Sequence, residues 1–92
     1  MNTIPARPAV HAIVTRIERR RDNAACRAYV SVALPAMGLE IQGIRIIERA
    51  SGSLYAQLPN QRDHRGQWFP AVRFADPAIA AAVLNAALGA WE

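Results

Sequence analysis

Apolar and polar residues alternate with a period of two over much of this 92-residue chain, a pattern typical of strands with one face on a core. The alternation is regular over residues 28–34 and again over 54–58. Pro59 ends the second run, because proline cannot donate to a strand ladder. Both segments are therefore predicted to be β-strands.

The segment between these strands changes phase. Leu39 and Ile41 share one side of an extended chain, whereas Ile44 and Ile46 share the other. One extra residue in a strand moves every later side chain to the opposite face, and glycine is common where this happens. We therefore predict a β-bulge or bend at Gly43, between two parts of one strand.

Residues 10–20 have two interpretations. Val10, Ile13, Val14 and Ile17 have the i, i+3, i+4, i+7 spacing of a helix. The same stretch is rich in β-branched residues, which favour a strand. The residues alone leave both possibilities open.

The second half of the chain contains a polar loop at residues 60–66, followed by an alternating segment at 67–74. Trp68, Val72 and Phe74 share one side of this segment, which predicts a last strand. Pro70 lacks an amide hydrogen, so the strand is predicted to lie at an edge or to be bulged there.

A helix is predicted after this strand. Asp76 is a good N-cap, Pro77 suits the first helical position, and Gly89 ends the pattern. Four or five antiparallel strands followed by one helix predict an α+β domain, in which the C-terminal helix packs on the sheet. We predict a single domain over residues 10–92, preceded by a flexible arm at residues 1–9.

The composition argues against several classes of function. The longest uncharged stretch, residues 77–91, is shorter than the ~20 apolar residues of a membrane span, so no membrane partner is expected. A single cysteine and two histidines without metal-ligand spacing predict no metal, no cofactor and a cytoplasmic location. His64 beside Asp63 is a weak candidate for acid–base chemistry, because neighbouring side chains in a turn usually point apart. We expect a protein that is not an enzyme.

The net charge is +4, and all eleven basic residues are arginines. Residues 1–30 hold six arginines against two acidic residues, so the excess lies in the first third of the chain. A clustered basic excess favours an anionic partner such as DNA or RNA.

The candidate nucleic-acid-binding residues are arginines in two predicted turns: Arg19, Arg20, Arg21, Arg62 and Arg65. Guanidinium groups at turns are well placed for phosphate contacts. The alternative for the first cluster is a solvated turn balanced by Glu18 and Asp22. Tyr55 and Phe69 are candidate stacking platforms for bases, or else cover the second face of the sheet or a dimer seam.

One block has a recognisable order of motifs. It contains IRIIE at 44–48, a Ser51-Gly52 turn, LYAQLP at 54–59, a polar loop ending in Gly66, and WFP at 68–70. In this order and spacing the block resembles the central part of the SpoVG family of small bacterial septation and sporulation regulators. The strand at 28–34 and the closing helix match in kind.

This resemblance implies a sheet backed by a helix, a homodimer, a bacterial cytoplasmic setting and nucleic-acid binding linked to gene regulation. It also favours a strand for residues 10–20. Family members carry basic and hydroxyl residues around the helix start, whereas residues 74–80 read FADPAIA here. Two hypotheses follow: a dimeric regulator that binds DNA or RNA through arginine loops, or a protein-interaction module that uses its helix or sheet edge.

Overall fold

The computed structural model describes residues 10–22 and 24–91, so the predicted arm at residues 1–9 lies outside the described residues. In chain order the elements are β1 (Ile13–Arg19), β2 (Cys26–Leu34), a 3-10 turn (Pro35–Met37), β3 (Leu39–Glu48), β4 (Leu54–Gln57), β5 (Asn60–Arg62), β6 (Trp68–Pro70) and α1 (Pro77–Gly89). Strands followed by one helix confirm the predicted α+β class.

Strands β1 to β4 form one antiparallel sheet in chain order, and β5 pairs with β6 in a second, two-stranded sheet. Helix α1 packs on one face of the four-stranded sheet, which we call the core face. The opposite face is called the open face. The buried core consists of Ala28, Val30, Val32, Leu34, Ile41, Ile44, Ile46, Val83 and Ala87.

The bulge predicted at Gly43 is confirmed. Val30 pairs with Ile44 and Val32 with Ile41, so one residue of β2 lies opposite both Gln42 and Gly43. Gly43 has a φ of 80°, which glycine adopts without the steric cost of a Cβ. Ile41 and Ile44 are consequently both buried although they are three residues apart.

The ambiguous segment is a strand, β1. A register shift between Val14 and Arg16 leaves Thr15 as an extra residue, and its hydroxyl donates to the Ser31 carbonyl at 3.3 Å. Val14 and Ile17 therefore both pack against the core from three positions apart. The bulge thus accounts for the helical spacing of Val14 and Ile17, whereas Ile13 is 49% exposed.

The end of the predicted sheet differs from expectation. Residues 60–62, predicted to be loop, form β5, and the last strand covers only Trp68–Pro70. The Pro59 carbonyl accepts a hydrogen bond from the Ala71 amide at 2.9 Å, so the intervening residues leave the main sheet as a separate hairpin. The prediction that Trp68 shares the side of Val72 and Phe74 is therefore wrong, because its side chain is 61% exposed while those two pack against the core.

The helix has the predicted bounds, Pro77–Gly89. The Asp76 carboxylate accepts from the Ala78 amide at 2.9 Å, which satisfies one amide that the first helical turn leaves unpaired. Val83 and Ala87 are fully buried against the sheet. Within the described part of the chain, no helix is long and apolar enough to cross a membrane.

Candidate nucleic-acid interface

The arginines predicted at the β1–β2 turn have different partners. Arg19, the last residue of β1, places its guanidinium carbon 4.4 Å from the centre of the Trp91 ring. Its Nη2 also donates to the Trp91 carbonyl at 3.1 Å. These contacts tie the end of β1 to the segment that follows α1, so Arg19 is engaged in the fold.

Arg20 forms an ion pair and hydrogen bond with Asp22. The hydrogen bond to Arg20 lowers the pKa of the Asp22 carboxyl, and the same contact raises the pKa of the Arg20 guanidinium. Arg21 is exposed, and its side chain has no hydrogen-bond or ion-pair partner among residues 10–22 and 24–91. Of the three adjacent arginines, Arg21 is thus the one most available to a ligand.

The other predicted arginines lie on the β5–β6 hairpin. Its turn is closed by a hydrogen bond from the Gly66 amide to the Asp63 carbonyl at 3.0 Å. The Asp63 carboxylate accepts from the amides of Arg65 at 2.8 Å and Gln67 at 2.9 Å. The carboxylate therefore stabilises the turn, and His64 and Arg65 are exposed at its tip.

Arg62 and Trp68 are directly opposite each other in the hairpin. The Arg62 guanidinium lies over the indole, 5.3 Å from the ring centre, and its Nε donates to the Gly66 carbonyl at 3.3 Å. Its terminal amino groups make no hydrogen bond to a described residue. The hairpin thus presents two exposed arginines beside an exposed indole.

Between the hairpin and the open face lies a groove of about 290 Å³, which we call the hairpin groove. It is lined by Tyr29, Gly43, Arg45, Pro59, Asn60 and Trp68. Arg45 is paired across the strands with Tyr29 and with Gln57 on the open face. Arg45 is half-buried, and its guanidinium has no carboxylate or hydrogen-bond partner among the described residues.

A second concavity of about 540 Å³, which we call the polar trough, adjoins the groove and shares Tyr29 and Gly43 with it. Glu18 and Glu40 line the trough. Glu18 is 3.8 Å from Arg16, and both of these side chains are largely exposed. The trough thus has two carboxylates and one guanidinium, since Arg16 lines it as well, whereas the hairpin side of the open face has the guanidinium of Arg45, unpaired within the described part of the chain.

The two predicted stacking platforms have different surroundings. Tyr55 is half-buried beneath Arg49, whose guanidinium carbon is 4.3 Å from the ring centre. Phe69 is 42% exposed on the hairpin face opposite Trp68. Tyr55 is thus covered on one ring face by a cation, whereas Phe69 is open.

The candidate site residues identified from the sequence do not include Tyr29, Arg45 and Trp68, which line the hairpin groove. The strand alternation already puts Tyr29 and Arg45 on the side opposite the buried residues, which was the signal that could have found them. Trp68 offered no such signal, because the alternation at 67–74 continues through residues that are not a strand.

Within residues 10–22 and 24–91, no group of three or more His, Cys, Asp and Glu side chains could hold a metal ion. The Asp63 carboxylate, paired with His64 in the sequence as a possible acid–base couple, instead accepts two backbone amides of its own turn.

No protein-family model matches this chain, and no curated protein matches it either.

Proposed function

We propose that this chain binds DNA or RNA, mainly through phosphate contacts from exposed arginines, and that it has no catalytic activity. The observation that carries the proposal is the β5–β6 hairpin, with Arg62 and Arg65 exposed beside Trp68. Arg21 adds a further exposed guanidinium at the β1–β2 turn. Arg19 and Arg20 contribute less, because each is already held by a partner within the chain.

This binding would be only weakly selective for sequence. Reading bases in a major groove requires polar side chains on an element that enters it. Helix α1 has no charged side chain between Pro77 and Gly89, and Asn85 is its single polar side chain, so it offers too few groups to read a sequence. Phosphate contacts from loops position a nucleic acid but carry no direct sequence information.

The test is the salt dependence of binding, measured by fluorescence anisotropy with labelled duplex and single-stranded oligonucleotides. If Arg21, Arg62 and Arg65 each neutralise one phosphate, log K falls against log salt with a slope of about −2.7 on duplex DNA and about −2.1 on single strands, per chain. The Arg62→Ala, Arg65→Ala double variant should flatten the slope by about 1.4 to 1.8.

A matched control distinguishes the effect of the hairpin arginines from the effect of total net charge. Arg16 and Arg73 are also exposed arginines, and neither belongs to the β5–β6 hairpin or lines the hairpin groove. Arg16 lines the adjoining polar trough. The Arg16→Ala, Arg73→Ala variant removes the same charge and should leave the slope close to that of the unchanged protein. Equal flattening by both double variants, or no binding at low salt, would refute an interface on the hairpin.

The SpoVG-like order of motifs over residues 44–70 supports a regulatory role in a bacterium, and we propose membership of that family on this ground. We also propose a cytoplasmic setting, supported by Cys26, which is a free thiol of the kind that persists in reducing compartments.

A homodimer is part of the proposal. Ile13, Met37 and Leu39 are 46–51% exposed, and all three lie near the end of the sheet where β2 turns into β3. A second copy would cover apolar side chains that a small core leaves in water. Light scattering tests this, and a mass of 10.1 kDa that does not change with concentration would refute it.

A protein-interaction module is the second candidate, favoured by an apolar groove of about 470 Å³ between the edge of β4 and α1. Its lining includes Leu58, Val72, Phe74, Ala80 and Leu84. Leu84→Glu discriminates the two functions. It should leave nucleic-acid affinity unchanged if the hairpin binds phosphates, whereas a module that uses this groove would lose its protein partner and show no salt-dependent binding of nucleic acid.

A further inference from the structure

The hairpin groove has two aromatic residues that the fold leaves accessible. Trp68 is 61% exposed and Tyr29 is 38% exposed, although both line the same concavity. Arg62 lies over one face of the Trp68 ring, so stacking uses the other face. Large aromatic side chains in a groove are stacking surfaces for planar ligands, because every nucleobase has a π-face that an indole or phenol can cover.

The backbone at Gly43 gives a flat ligand room between these side chains. A Cβ on this residue would meet only the Pro59 Cγ, at 4.0 Å. Glycine at such a point lets a ligand approach the main chain closely. Because residue 43 is a glycine, it places no side chain of its own in this part of the groove.

The groove also contains unused hydrogen-bonding groups. Arg45 is half-buried, and its five N–H donors have no acceptor among the described residues; the Asn60 amide lies beside it, also without a side-chain partner there. A guanidinium in this position attracts a ligand with paired acceptors. The Hoogsteen edge of guanine, O6 and N7, is the base edge that arginine contacts most often.

The charged side chains around the groove set the direction in which a bound nucleic-acid strand would lie. The polar trough holds two carboxylates, Glu18 and Glu40, against one guanidinium, Arg16. Phosphates are therefore attracted to Arg62 and Arg65 on the hairpin rather than to the trough. An unpaired nucleotide can place its phosphate on the hairpin and its base in the groove. A paired base cannot, because its faces are stacked within the duplex.

We propose that the hairpin groove binds one unpaired base of a single-stranded nucleic acid, stacked on Trp68 and recognised by Arg45, with guanine preferred. This inference rests on the proposed nucleic-acid-binding function and adds to it a base site that phosphate contacts do not require.

The experiment uses Trp91→Phe protein, in which Trp68 is the only tryptophan, so its fluorescence reports the groove. Three probes are titrated: oligothymidine, the same oligomer with one central guanine, and a duplex of equal length. Anisotropy of the labelled oligonucleotide measures total binding in parallel. We expect the guanine oligomer to quench Trp68 more strongly than oligothymidine does, and to bind several-fold more tightly. The duplex can contact Arg62 over the ring but cannot place a base in the groove, so it should quench Trp68 least.

Two variants in the unaltered background test the roles separately. Trp68→Leu should lose about 5- to 150-fold in affinity for single strands, the range measured for one base stacked on an aromatic ring. Arg45→Gln should abolish the guanine preference while leaving the salt slope unchanged. Circular dichroism and urea midpoints close to those of the parent protein show that each variant folds.

The possible results test the base site and the proposed phosphate binding separately. Salt-dependent binding without Trp68 quenching, or with equal affinity for both single strands, overturns the base site and leaves phosphate binding intact. The absence of any anisotropy change at low salt overturns both. Guanine-dependent quenching that Arg45→Gln removes supports the proposal.

Discussion

The β-bulge at Gly43 can be tested by substitution, because the bulge sets the register of β3 and Gly43 lines the hairpin groove. In Gly43→Val a β-branched residue must adopt a φ near 80°. An L-residue in a sparsely populated backbone region costs about 1–3 kcal/mol, and β-branched residues lie at the upper end of this range. Steric contact adds little to this cost, since a Cβ at residue 43 meets only one atom, at 4.0 Å. We expect the free energy of unfolding to fall by about 2–3 kcal/mol.

Two matched substitutions separate backbone strain from side-chain bulk. Gly43→Asn introduces a side chain of similar size, but asparagine tolerates a positive φ far better, so it should cost about 1 kcal/mol or less. Gly89→Ala lies at the end of α1 without a positive φ, and a Cβ there has nothing within 4 Å. Alanine is the better helix former, so this variant should be neutral or slightly stabilising.

Urea unfolding followed by circular dichroism measures these differences. With an m-value of about 1 kcal/mol/M for a domain of this size, Gly43→Val should lower the midpoint by about 2–3 M. Equal losses for Gly43→Val and Gly43→Asn would show that bulk, not backbone conformation, decides the cost. A midpoint for Gly43→Val within error of the unchanged protein would refute the reasoning altogether.

Other perturbations test the contacts that hold the ends of the elements. Arg19→Ala removes the stacking on Trp91 and should cost about 1 kcal/mol in urea unfolding without changing the salt slope of binding; a flatter slope would mean that Arg19 contacts phosphate. Asp76→Ala removes the N-cap of α1 and should cost about 1 kcal/mol, with a loss of helical ellipticity on mild heating; an unchanged midpoint would contradict the capping role. Arg20 lowers the pKa of Asp22 in the folded state, so this pair stabilises the protein above the ordinary aspartate pKa of 3.8 and the effect is lost as the pH falls through the lowered pKa. Arg20→Gln should therefore begin acid unfolding at a slightly higher pH, and coincident acid titrations would count against the pair.

Several features of the fold follow from neighbouring residues alone. The helix begins where Asp76 can cap it and Pro77 can start it, and these effects act within one turn. The phase change around Gly43 predicts the bulge, because the apolar positions before and after this residue would fall on opposite faces of a regular strand. These features depend on local backbone chemistry, so the linear order of residues is sufficient to find them.

Only the tertiary structure shows that residues 13–19 form a strand rather than a helix, and which path the β5–β6 hairpin takes. A bulge at Thr15 gives β1 the apolar spacing of a helix, and only pairing with β2 distinguishes the two. The alternation at residues 67–74 continues past the real strand, because Val72 and Phe74 reach the core from an irregular segment. For the same reason the alternation predicts the wrong environment for Trp68.

The sequence by itself determined the α+β class, the central strands, the helix and the arginines that carry the charge. Which of those arginines remain available to a ligand was decided by tertiary structure. Arg19 meets Trp91 across 72 positions, and Arg45 and Trp68 line one groove only because the chain leaves the main sheet after Pro59. Periodicity and capping report on interactions between neighbours, whereas the partners of a long, flexible guanidinium depend on contacts between residues far apart in the chain.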